Sequence, residues 1–143
     1  DRDVDLLCTK TLSATAFQMV QKINRKDSTG ALTILHNLFR MREEPIKIMG
    51  ALASSYVNLY RALTAQEAGI PLGDFGQEFG MKNPSALQYS LKDARALGGK
   101  RLDESLKLLS ESDKNLKSLP VDGQIILEQT VVGLLKIAGA SHA

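Results

Sequence analysis

Tryptophan is absent, and aromatic residues make up 5% of the chain. Sandwiches and barrels draw on alternating Val, Ile, Thr, Tyr and Phe. No stretch here keeps that alternation over five residues. A single cysteine, Cys8, excludes an internal disulfide. It points to a reducing compartment, so the expected location is cytoplasmic. Apolar runs are only a few residues long, too short for a membrane span or a signal-peptide core. An excess of either charge is also missing: 18 Lys and Arg face 16 Asp and Glu, a net of +2. That balance does not by itself advertise a nucleic-acid or membrane-surface protein. Repeats, low-complexity tracts and linkers are not visible. The chain opens on Asp1 rather than Met, which we read as a piece of a longer protein.

What is present is a chain of 143 residues, 43% hydrophobic and 24% charged, enough for one domain with a sizeable core. Leu and Ala dominate the apolar set, which suits packed helices. The expected fold is all-α, a single domain of six or seven helices. The opening Asp1–Leu7 predicts one or two turns, broken at Thr11–Thr15. Ser13 or Thr15 then caps a helix facing inward through Phe17, Val20 and Ile23. Asp27-Ser28-Thr29-Gly30 stops it and starts a second, carrying Ala31, Leu32, Leu35, Leu38 and Phe39. A third runs from Glu43-Glu44-Pro45 to about Ala68, with stripes Ile46, Met49, Ala53, Tyr56, Tyr60, Leu63 and Ile48, Leu52, Leu59. Leu72–Phe79 reads as a short helix, Asn83–Leu97 as another, closed by Gly98-Gly99. Lys100 to about Leu119 shows Leu102, Leu106, Leu109 and Leu116 on one stripe. Gln124 to about Ala138 is last, its core side Ile126, Leu134 and Ile137.

The residues offer no catalytic, cofactor or metal site. Nucleophilic catalysis needs a nucleophile beside an oriented base. His36 sits mid-helix and reads as structural or solvated, and His142 lies at the frayed end. Cys8, His36 and His142 lack metal-ligand spacing. Gly98-Gly99-Lys100 resembles the close of a phosphate loop, but Ala94 and Arg101 stand where that motif needs Gly and Ser or Thr. It reads as a helix C-cap. Leu72–Leu97 has the outline of a helix-turn-helix, with Gln88 able to reach adenine and Lys92, Arg95, Lys100 and Arg101 making its end basic. A DNA-binding regulator is therefore the alternative, set against a plain core hairpin. Asp113 falls on the Leu102–Leu116 stripe, where a carboxylate needs a partner. Lys117, four residues on, supplies one, and the pair reads as a structural link.

Several strings taken in order resemble one family. They are Glu44-Pro45-Ile46, Leu52-Ala53 with Tyr56 and Leu59-Tyr60-Arg61, and Gln77-Glu78-Phe79-Gly80-Met81-Lys82. Ser112-Asp113-Lys114-Asn115-Leu116-Lys117-Ser118, Val121-Asp122-Gly123 and Leu127-Glu128 follow. Together they resemble the C-terminal region of bacterial DNA polymerase III delta subunits, which are clamp-loader proteins. The resemblance implies a three-domain AAA+ protein whose third domain is a helical collar. Residues 1–12 would be the tail of the preceding AAA+ lid domain, and 13–143 the collar. It implies partners through the collar, delta prime and tau/gamma, in a pentamer that loads sliding clamps during replication. The sliding clamp would be gripped only by the absent N-terminal domain, and DNA contact would be indirect or weak. Delta-like subunits lack a working ATP site, so the fragment is expected to have no activity of its own, although the parent belongs to a DNA-directed DNA polymerase, a nucleotidyltransferase. Asp113 and Lys117 match the family's pattern and carry over as structural.

Steps of 100° around the last helix leave Ile125, Val132 and Leu135 on or beside the polar side with Glu128, Gln129 and Lys136. Opposite the core side, they form an apolar patch with a polar rim, which marks an interface. Under the family resemblance its partner is another collar.

Overall fold

Leu12, Ala16, Met19, Val20 and Ile23 recur at three- and four-residue intervals, and all are buried. That line pins one uninterrupted helix, α1 (Arg2–Asn24), in the computed structural model, which describes residues 2–69 and 84–139, with side chains over 12–69 and 91–139. The break expected at Thr11–Thr15 does not occur. A Ser or Thr costs a helix about 0.5 kcal/mol relative to Ala, less than the buried stripe around it contributes. Phe17, expected inward, is half-buried at its edge.

α1 ends without glycine. Lys26 takes the left-handed conformation (φ 63°), and the Asp27 N–H donates to the Lys22 carbonyl at 2.9 Å, closing the last turn. Asp27 then caps α2 (Ser28–Arg40), its Oδ1 accepting from the Gly30 N–H at 2.9 Å. The same closure ends α2: Arg42 has φ 62°, and Glu43 N–H donates to Leu38 O at 3.0 Å. Pro45 opens α3 (Pro45–Glu67), where its missing N–H costs nothing. α4 (Pro84–Leu97) meets α5 (Gly99–Ser118) at Gly98, whose φ of 86° only glycine adopts without strain. α6 (Gly123–Gly139) is last. Among the described residues there are six helices and no strand. The short helix expected over Leu72–Phe79 lies outside them. None of the described helices is long and apolar enough to cross a membrane.

α3 is the hub. Ile48, Met49, Leu52, Tyr56, Leu59, Ala62 and Ala65 are all buried, and α1, α4, α5 and α6 pack around them. Its two expected stripes narrow to one broad face, because Ile46 and Tyr60 are nearly half exposed. α2 bridges α1 and α6. α5 faces inward through Leu102, Ser105, Leu109 and Ser112. Leu106 and Leu116 pack beside that line. Asp113, expected on it, sits on the flank with 37% of its side chain exposed. The inward line turns one residue earlier, through the small side chains of Ser105 and Ser112.

Two glycines set close approaches around α6. A β-carbon on Gly133 would fall 2.7 Å from Leu108 Cδ2 of α5. One on Gly123 would fall 2.8 Å from Pro45 Cβ, so the starts of α6 and α3 abut.

Candidate interaction surface

α6 buries Ile126, Leu127, Thr130, Val131, Leu134 and Ala138. The Thr130 hydroxyl is satisfied within the helix, donating to Ile126 O at 2.7 Å. The rest of α6 turns outward. Ile125 is 47% and Val132 38% exposed. Leu135 differs from them: it is half-buried and packs against the core, so it forms the floor of the face rather than its crest. Glu128 borders the face and reaches across to α2, its Oε1 3.1 Å from His36 Nε2. Both partners are half exposed, which places His36 in a solvated cross-link between helices.

The face continues past the start of α6. Leu119 and Val121, in the turn before it, are exposed. Gly123 against Pro45 brings that turn to the end of the bundle where Met41 and Ile46 are exposed at the α2–α3 corner. Six of the seven exposed large apolar side chains among the described residues thus lie on α6 or at this one end; Tyr60 is the other. An open groove of about 360 Å³ runs between α5 and α6, lined by Leu108, Ser112, Leu119, Val121, Ile126 and Gln129 among others. Scattered apolar residues are ordinary on a surface; six gathered on one helix and at one end of the bundle make a candidate docking face.

Asp113 and Lys117 form an ion pair on α5, with Nζ donating to Oδ2 at 2.8 Å. An exposed pair at this spacing contributes about 0.3–0.5 kcal/mol. Gln88 lies outside the described side chains. Gly98 and Gly99 join two helices, without the strand that a phosphate loop follows. Among the described residues, no three His, Cys, Asp or Glu side chains are placed to hold a metal ion.

The sequence missed two features here. The corner residues Met41 and Leu119 follow helix ends, where periodicity carries no orientation. The His36–Glu128 link joins side chains 92 residues apart, beyond the reach of any local pattern.

Comparison with known proteins gives a consistent answer. A family model described as "DNA polymerase III delta subunit, C-terminal domain" matches residues 13–134. The chain is 27% identical over 138 residues to the DNA polymerase III subunit delta of Bacillus subtilis, covering 94% of this chain and 38% of that protein. It also resembles the solved structure of the Bacillus subtilis DNA clamp loader delta protein, with a TM-score of 0.78 and 25% identity over 94% of this chain and 40% of that one. The chain therefore spans about two fifths of the length of the relatives it matches.

Proposed function

We propose, from the premise that this chain belongs to the family of C-terminal domains of DNA polymerase III delta subunits, that it is the collar by which a clamp-loader delta protein joins its neighbours. The single observation that carries this reading is the apolar face of Ile125, Val132 and the α6 entrance, exposed beside a well-filled core. A clamp loader needs its working domains held at fixed spacing while they open and close a ring. A rigid helical domain that buries an outward face against a second one supplies that spacing without chemistry of its own.

In this reading residues 13–143 are the collar and 1–12 the tail of an AAA+ lid domain, a division that the family match from residue 13 supports. The partners are delta prime and tau/gamma in a pentamer. The sliding clamp belongs to a preceding domain, DNA contact through the collar is indirect or weak, and the compartment is the cytoplasm. Asp113 and Lys117 are structural, and the domain contributes no catalytic residue.

The test is assembly. Leu135 belongs partly to the core, so the informative variant is Ile125→Asp with Val132→Asp. The double variant is expected to keep its helical circular dichroism and to elute apart from delta prime and tau/gamma in size exclusion. Normal assembly would move the interface off α6.

A further inference from the structure

The groove between α5 and α6 has a polar lining and apolar ends. Leu108, held against Gly133, marks one end, and exposed Leu119 and Val121 stand at the other. From Leu108 to Leu119 the α5 wall covers about 16 Å, at ~1.5 Å per residue. That is the length of about five residues of extended chain.

Between the ends the side chains are hydroxyls and amides. Ser112 lines the groove and is only 6% exposed. Among the described residues its hydroxyl has no hydrogen-bond partner. A hydroxyl buried to that degree ordinarily has one, so this one calls for a partner from outside the chain. Thr130 lines the groove too; it gives its proton to Ile126 O, which leaves its oxygen able to accept. Asn115 on α5 and Gln129 on α6 line the two walls, and their amides are also unpaired among the described residues.

These groups select an extended peptide. A carboxamide carries both a donor and an acceptor, the complement of a peptide group. A helical partner has its peptide groups paired internally, whereas an extended segment presents them. Charge narrows the choice. Glu111 lines the groove, and no cation does so among the described residues. Lys107, one turn earlier, is bound to Asp103 at 3.1 Å, and Lys114 stands more than 4 Å from Glu111. The free carboxylate repels acidic segments and attracts a basic side chain.

We propose that the α5–α6 groove binds an extended segment of a partner protein in which basic and apolar side chains alternate, with its peptide groups on Ser112, Asn115 and Gln129 and a basic side chain on Glu111. The groove touches the proposed collar face at Leu119 and Val121 but includes neither Ile125 nor Val132, so it does not rest on the collar reading.

The probe is the peptide acetyl-Leu-Lys-Leu-Lys-Leu-amide, titrated into the isotope-labelled 143-residue chain and followed by amide chemical shifts. Saturable shifts are expected along the second half of α5 and the start of α6, with half-saturation at about 1 mM or below. The same peptide with Glu for Lys should bind at least tenfold more weakly. So should one N-methylated at both lysines, which keeps the charge and removes two backbone donors. Glu111→Gln should remove the preference for lysine over glutamate. Ser112→Ala with Gln129→Ala should weaken binding at least fivefold. Val132→Ser, on the collar face outside the groove, should change it less than twofold. Circular dichroism checks that each variant keeps its fold. The proposal is overturned by the absence of saturable shifts, by shifts centred on other helices, or by equal binding of the lysine, glutamate and N-methylated peptides. Dimerisation of the chain that Ser112→Ala with Gln129→Ala abolishes would give the groove to a second copy and overturn it as well.

Discussion

Tyr56 sits in the middle of α3 with 1% of its surface exposed. Burial pushes its hydroxyl well above the usual phenol range. In the unfolded chain that group ionises near ~10. Above that pH the folded state holds a proton that the unfolded state has lost, so stability falls as pH rises. Tyr56→Phe should remove this part of the loss, and urea midpoints between about pH 9 and 11 should decline less steeply in the variant than in the parent. Asp113 shows the opposite regime. Its pair with Lys117 is exposed, so Asp113→Ala should cost no more than about 0.5 kcal/mol in urea unfolding. The sequence made Asp113 seem a buried oddity because a heptad-like stripe of leucines brackets it. It could not show that Ser105 and Ser112 occupy the buried line, since a small hydroxyl side chain is equally at home on a surface.

Most helix bodies were legible because three- and four-residue spacing of Leu, Ile and Ala survives in the packed molecule. The boundaries were legible only where their chemistry is usual: Pro45 at a start, Asp27 as a cap, Gly98 at a junction. Lys26 and Arg42 close helices in a conformation that favours glycine, and nothing in a lysine or arginine announces that. Each cation holds a strained backbone, at about 1–2 kcal/mol. Arg42→Gly should therefore stabilise the chain, by about 1 kcal/mol once the greater freedom of glycine in the unfolded state is allowed for. Gly50 is the reverse case. It lies exposed within α3, and a β-carbon there meets nothing within 4 Å. Gly50→Ala should add about 0.5–1 kcal/mol. Paired urea curves for the two variants test both statements.

At the scale of the molecule, the packing of four helices on α3 predicts one cooperative body. Leu52 is fully buried in the central helix, around which four others pack. Leu52→Ala should cost about 2–5 kcal/mol and move near- and far-ultraviolet unfolding curves together. Separate transitions would mean that the helices around α3 open independently. The outward side of α6 was partly legible: Ile125 and Val132 followed from angular spacing alone, whereas Leu135 was misjudged because the reach of a neighbouring helix is not written in its own segment.

The abutment of Gly123 on Pro45 gives the molecule a load path. A partner that pulls or twists the outer side of α6 presses the first turn of that helix on the first turn of α3. At Gly133 the same helix lies close against Leu108 of α5. Torque applied to the outer side of α6 is therefore expected to reach the central helix α3 through the contact of Gly123 with Pro45.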